Sequence, residues 1–147
     1  MPTFSRHVTV DWAGALREGG KGEVHAGTGA FTLPVSFPKR VGAAEGATSP
    51  EELIAAAHGA CYAMALNATV GRKGGQIAKT DVTATVTADK GDAGIKIMSS
   101  KLTVVAHGLT GITKEQFPEV AKEAEGKCPV SNAYRGALTI ELDAKAV

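Results

Sequence analysis

The sequence lacks an excess of charge of either sign. Sixteen lysine and arginine residues oppose fifteen acidic ones in 147 residues, which leaves a formal net charge of +1. No run of five or more like charges occurs, whereas proteins that bind nucleic acid usually carry a basic patch or stripe. We therefore expect no nucleic-acid partner.

The sequence also lacks an apolar run of membrane-spanning length, and its N-terminus does not combine a basic segment, an apolar stretch and a small-residue cleavage site. We therefore expect no membrane partner and a cytoplasmic localisation. A chain of 147 residues can bury a stable core without disulfide bonds or a structural metal ion. We predict a single domain over residues 1–147.

Cysteine is scarce. The two cysteines, Cys61 and Cys128, lie 67 positions apart, which matches neither the CxxC redox spacing nor the clustered ligands of a zinc site. His7, His25 and His107 are scattered without ligand spacing. The sequence therefore predicts no metal and no bound cofactor.

The first part of the chain alternates polar and apolar residues between glycine-rich turns, which is typical of short antiparallel strands. We predict strands near residues 6–13, 22–28 and 30–37. A helix signal follows at Ser49, with Pro50 in the first helical position and Glu52 three residues after the cap, the pattern of a capping box. Gly74 and Gly75 are predicted to end this helix.

The predicted central helix is apolar around most of its circumference and carries almost no charge before Arg72. Such a helix belongs in a core, or in a core shared with a second subunit. Residues 80–89 and 95–108 then alternate with period two and predict a hairpin. A second helix from Thr113 to about Glu125 and a last strand over 137–145 complete six strands and two helices, an α+β fold.

The surroundings of the two thiols leave their role open. Free cysteine is among the most buried residue types, so packing is the favoured interpretation of Cys61 on spacing alone. Cys128 follows the second helix at a junction where backbone is more often exposed, and we expect it to be the more accessible thiol. His58 precedes Cys61 by one helical turn and is expected to be a packed or hydrogen-bonded histidine rather than a base.

Two separated motifs carry a resemblance to a known family. The segment TSPEELIAAAHGACYAMAL and the later KCPVS resemble the osmotically inducible protein C (OsmC) family, OsmC branch, and its sister group, the organic hydroperoxide resistance (Ohr) proteins. The resemblance extends from the WxG motif at Trp12 to the C-terminal strand. It implies an OsmC-like fold, about six strands with two main helices, in an intertwined homodimer.

The resemblance also implies an activity and assigns roles. It predicts a thiol-dependent peroxidase for organic hydroperoxides, with Cys61 as the peroxidatic and Cys128 as the resolving cysteine. Glu51 matches the acid that pairs with an arginine. Arg40 matches that arginine with one extra residue of spacing, whereas Arg17 stands where the sister group places it. A dithiol reductant, such as a lipoylated carrier protein, is the implied partner.

Helix geometry adds one expectation about assembly. Ten residues of unbroken helix span about 15 Å, so Glu51 cannot reach Cys61 of the same chain. A two-fold dimer with antiparallel central helices would place Glu51 of one subunit near Cys61 of the other. Two alternatives remain at this point: a non-catalytic redox sensor or small-molecule-binding module that uses the same cysteines, and a structural domain with two inert cysteines.

Overall fold

The computed structural model describes residues 2–147 and has six strands in two sheets with four helices, two of them long. The predicted α+β class is confirmed. The chain divides into two compact units, the first ending at Pro50 and the second beginning at Glu51. The expectation of a single domain over residues 1–147 stays a prediction.

The first unit is an antiparallel sheet followed by a short helix. Its strands are β1 (Val8–Ala13), β2 (Lys21–Ala26) and β3 (Thr32–Ser36), in the order β1-β2-β3. The three predicted strands are confirmed. The helix α1 (Phe37–Val41) was not predicted, and it begins where the Ser36 hydroxyl accepts a hydrogen bond from the Lys39 amide at 3.4 Å.

The second unit packs helices against a mixed sheet. Its elements are α2 (Pro50–Arg72), whose first residue is the last of the first unit, and then β4 (Lys79–Gly91), β5 (Gly94–His107), α3 (Phe117–Lys127), α4 (Pro129–Tyr134) and β6 (Thr139–Ala146). The predicted hairpin is confirmed, because β4 and β5 pair antiparallel. The last strand, β6, pairs parallel with β5, so β5 is the central strand.

Helix α2 begins at Pro50 as predicted and continues unbroken to Arg72. Gly74 follows with a φ of +81°, a conformation that glycine adopts without steric cost. The Gly75 amide donates to the carbonyl of Val70 at 3.0 Å and thereby satisfies one of the last carbonyls of the helix.

One face of α2 lies in the core. Tyr62, Leu66 and Val70 are buried there with side chains from β5 and α3. The opposite face is open in the single chain, and Met64 is 74% exposed. By length and composition alone α2 could cross a membrane, so the expectation that no apolar run reaches membrane-spanning length was wrong. Its buried face packs in the core of this unit.

The second long helix starts later than the sequence suggested. Thr113 and Gln116 do exchange the hydrogen bonds of a capping box, with the Thr113 amide donating to Gln116 Oε1 at 2.8 Å and the Gln116 amide donating to Thr113 Oγ1 at 3.2 Å. These bonds close a turn, and the helix α3 begins at Phe117. The predicted start at Thr113 was therefore wrong by four residues.

Candidate active site

Two distant segments of the second unit bring the cysteines together. Cys61 lies in the middle of α2, and Cys128 is the single residue that joins α3 to α4. Both thiols are free, and the Cys128 thiol lies close enough to Cys61 to raise the pKa of the Cys61 thiol. The fold thus places two thiols that are 67 positions apart beside each other.

The accessibility of the two thiols is the reverse of the prediction. Cys128 is fully buried, whereas Cys61 is partly exposed. The reason is that the Cys128 side chain turns inward at the junction, where its sulfur accepts a hydrogen bond from the Ser131 amide at 3.5 Å. Cys61 lies at the border between the buried face of α2 and its open face, beside exposed Ala60 and Met64.

Local contacts act on the Cys61 thiol in opposite directions. Burial raises its pKa above the ordinary value, and the neighbouring Cys128 thiol raises it further. A hydrogen bond from the Val130 amide lowers it, but burial has the larger effect. In the single chain Cys61 is therefore a thiol at neutral pH, and a positive charge is needed to make it a thiolate.

His58 lies between two serine hydroxyls. Its Nδ1 is 2.6 Å from Ser100 Oγ and its Nε2 is 2.7 Å from Ser131 Oγ, and the side chain is fully buried. Burial lowers its pKa, and Glu125 opposes this effect only in part. The prediction of a hydrogen-bonded core histidine is confirmed.

The charged residues assigned by resemblance lie elsewhere in the chain. Glu51 occupies the first turn of α2, ten residues before Cys61 on an unbroken helix, which separates the two by about 15 Å within one chain. Arg40 lies in the last turn of α1, in the first unit. The guanidinium of Arg17, in the same unit, stacks over the ring of Phe37 at 4.9 Å from its centroid. The roles of Arg40 and Glu51 stay predictions.

Several contacts of the thiols were not anticipated from the sequence. Val130 acts on Cys61 through its backbone amide, and a motif of side chains does not reveal a backbone contact. Ser131 belongs to the KCPVS segment, yet nothing in that segment indicates its bond to a histidine 73 positions away. The proline after Cys128 was the available signal for α4, because proline is favoured at the first position of a helix.

One group of side chains has the composition of a metal site. Asp11, Glu23 and His25 on β1 and β2 each offer a ligand atom within 4.8 Å of the others, and both carboxylates are exposed. Asp11 Oδ2 is hydrogen-bonded to His25 Nε2 at 2.9 Å. No cysteine belongs to this group, so it has no place in the thiol chemistry.

Comparison with known proteins places this arrangement in a family. The family described as "OsmC-like protein" matches residues 42–143. The chain is 35% identical over 145 residues to the peroxiredoxin OsmC of Escherichia coli K12, which covers 98% of this chain and 99% of that protein. It is 33% identical over 129 residues to the organic hydroperoxide resistance protein OhrA of Bacillus subtilis, which covers 85% of this chain and 88% of that one.

A solved structure shows the same fold. The crystal structure of an organic hydroperoxide resistance protein from Elizabethkingia anophelis superposes with a TM-score of 0.75 at 26% identity, and the match covers 100% of both chains. The family match, the full-length similarity to curated relatives and this superposition agree with one another. The chain belongs to the OsmC-like family.

Proposed function

We propose that this protein is a thiol-dependent peroxidase that reduces organic hydroperoxides and, less efficiently, hydrogen peroxide. The observation that carries the proposal is that the fold brings Cys61 and Cys128 close enough for the two thiols to interact. The names of the relatives, a peroxiredoxin and organic hydroperoxide resistance proteins, support a redox function directed at hydroperoxides.

The closeness of the two thiols suits a two-cysteine cycle. The Cys61 thiolate attacks the terminal oxygen of ROOH, the O–O bond breaks, and the alcohol ROH leaves after taking up a proton. Cys61 becomes a sulfenic acid, which the thiol of Cys128 attacks to form a disulfide and release water. A dithiol then reduces the disulfide and is itself oxidised to a disulfide. The partly exposed Cys61 is the thiol that a substrate can reach, and the buried Cys128 is suited to resolve it.

The charge that the site needs is assigned to Arg40. Burial raises the pKa of Cys61, and a guanidinium would favour the thiolate and stabilise negative charge on the leaving oxygen. Glu51 would orient the guanidinium through a bidentate ion pair. Since Glu51 is about 15 Å from Cys61 along its own helix, the proposal requires Glu51 of a second subunit.

An intertwined homodimer provides that second subunit. The open face of α2 supports this assembly, because Ala56, Ala60, Met64 and Ala68 are exposed in the single chain. An apolar helix face of this kind is stabilised when a partner covers it. We place the enzyme in the cytoplasm with a dithiol reductant such as a lipoylated carrier protein.

Steady-state consumption of peroxide tests the proposal. Cumene hydroperoxide and hydrogen peroxide are compared at equal concentration, with dihydrolipoamide in excess and without it. We expect many equivalents of cumene hydroperoxide to be consumed per subunit, and a lower rate with hydrogen peroxide. A redox sensor would stop after one equivalent, and a structural domain with inert cysteines would consume none. Either result would contradict the peroxidase assignment.

A further inference from the structure

The mechanism above leaves the buried His58 unused, although its surroundings connect it to both cysteines. Its imidazole joins Ser100 of β5 to Ser131 of α4, with N···O distances of 2.6 and 2.7 Å. The ring of Tyr134, the last residue of α4, contacts it edge-on with the ring centroids 5.3 Å apart. One side chain of α2 thus contacts α4 at its third residue and at its last residue.

The first turn of α4 reaches both sulfur atoms. Pro129 has no amide hydrogen. The next amide, of Val130, lies close enough to Cys61 to lower the pKa of its thiol, and the amide of Ser131 donates to the sulfur of Cys128 at 3.5 Å. Ser131 therefore has two functions at once: its backbone binds the resolving sulfur while its hydroxyl binds His58. A movement of α4 away from His58 would change both amide–sulfur contacts.

Packing alone does not account for a histidine at this position. Burial of an imidazole costs free energy unless both nitrogens find partners, whereas an apolar side chain would fill the space without that cost. Both nitrogens of His58 are hydrogen-bonded. In a neutral imidazole one nitrogen donates and the other accepts, so the two serine hydroxyls take opposite roles and their orientation is fixed.

We propose that His58 is a positioning residue that acts through Ser131. It holds the first turn of α4 so that the amides of Val130 and Ser131 stay directed at the two sulfur atoms, which keeps the thiols in the geometry for disulfide formation. The reaction it favours joins the sulfenic acid of Cys61 to the thiol of Cys128 with release of water, in preference to a second oxidation of Cys61. Its physiological meaning rests on the proposed peroxidase function.

The experiment measures the thiols without relying on peroxide turnover. The disulfide between Cys61 and Cys128 is formed with diamide, and its rate is followed by mass spectrometry in wild type, Ser131→Ala and His58→Phe. Cys61 is also alkylated with iodoacetamide across a pH series in a Cys128→Ser background. Ser131→Ala is the sharper variant, because it removes the hydroxyl and leaves the backbone amide in place.

Matched variants separate positioning from stability. Thr69→Val is the control, because it removes a fully buried hydroxyl that lies in α2 and donates to the carbonyl of Ala65 at 2.7 Å. His58→Gln keeps one donor and one acceptor. We expect disulfide formation to slow by roughly three- to tenfold in Ser131→Ala and His58→Phe, the size of effect that loss of one hydrogen bond produces. Thr69→Val should match wild type, and His58→Gln should recover most of the rate.

The result that would overturn the proposal is a pure loss of stability. If Ser131→Ala and His58→Phe lower the unfolding temperature but leave both the diamide rate and the alkylation profile at wild-type values, His58 only packs the core. If His58→Phe does not fold, Ser131→Ala decides alone. A wild-type protein with these thiol properties but no peroxide turnover would refute the peroxidase function and leave the positioning role intact.

Discussion

The Cys61 sulfur lies in surroundings that both hinder and help its reaction. Burial and the Cys128 thiol raise its pKa, whereas the Val130 amide lowers it. The net direction is upward, which favours the neutral thiol over the thiolate. A positive charge beside the sulfur would oppose this effect, so the source of that charge is the central question at the scale of residues.

Replacement of Cys128 tests the division of roles between the thiols. In Cys128→Ser we expect one fast oxidation of Cys61 followed by sulfinic acid, because no thiol remains to capture the sulfenic acid. Cys61→Ser should lose peroxide turnover altogether, since a hydroxyl is a weak nucleophile at neutral pH. Mass spectrometry after repeated additions of cumene hydroperoxide follows the oxidation of Cys61 in Cys128→Ser, and steady-state peroxide consumption measures turnover in Cys61→Ser. An unchanged mass of Cys128→Ser would count against the resolving role.

The arginine assignment has a built-in control. Arg40→Ala should raise the pKa of Cys61 and slow alkylation at pH 7 by tenfold or more, because a shift of about one pKa unit is a tenfold change in thiolate. Arg17→Ala should have little effect, since its guanidinium stacks on Phe37. The pH dependence of iodoacetamide labelling distinguishes them. The opposite pattern would assign the charge to Arg17.

The lowered pKa of His58 predicts that the stability of the protein depends on pH. This pKa in the folded protein is below the ordinary value of 6.5, with burial as the main cause. The unfolded chain therefore binds the proton more readily, and the free energy of unfolding should fall as the pH drops below about 6.5. Urea unfolding at pH 7 and pH 5.5 should show a larger loss in wild type than in His58→Gln. Equal losses would show that His58 does not contribute.

At the scale of elements, regular patterns in the sequence were enough to predict those helices and strands whose structure depends on local interactions. The period-two alternation of β4 and β5 predicted the hairpin, and Pro50 with Gly74 marked the limits of α2. The same reasoning failed at Thr113, because reciprocal capping bonds can close a turn without starting a helix.

The site was harder to anticipate because tertiary contacts make it. The residue types around Cys61 and Cys128 indicated the family, but the inward turn of Cys128 depends on how α3 and α4 meet. The bond between His58 and Ser131 joins residues 73 positions apart. No periodicity encodes such a contact, so the exposure of the two thiols was predicted in the wrong order.

The buried face of α2 leads to a prediction about the free energy of unfolding. Leu66 is fully buried among side chains of β5 and α3, so Leu66→Ala should lower the free energy of unfolding by about 2–5 kcal/mol. Met98→Ala, which truncates an exposed side chain of β5, should cost less than about 1 kcal/mol. Urea unfolding at one fixed protein concentration compares them. Equal costs would contradict the assigned core face.

At the scale of the whole molecule, the proposed dimer can be tested by complementation. A Glu51→Ala chain is mixed with a Cys61→Ser chain, each inactive as its own dimer. If acid and thiol come from different chains, the heterodimer holds one intact site and one doubly altered site. It should recover about half of wild-type activity per dimer, as two-fold symmetry requires.

One outcome of this mixing experiment would contradict the shared site. If Glu51 served Cys61 of its own chain, every site in the heterodimer would carry one lesion and no activity would return. Native mass spectrometry confirms that subunits have exchanged before activity is measured. Complete exchange without recovered activity would refute the shared site.

The parallel pairing of β5 with β6 bears on how the protein is synthesised. The β4–β5 hairpin can form as soon as both strands leave the ribosome, whereas β6 can pair with β5 only after the connection through α3 and α4 has been made. Cys128 lies within that connection, so its burial awaits the synthesis of α3 and α4. In the proposed cycle, Cys61 would have no resolving partner until then, and the newly made chain would be open to oxidation beyond the sulfenic acid.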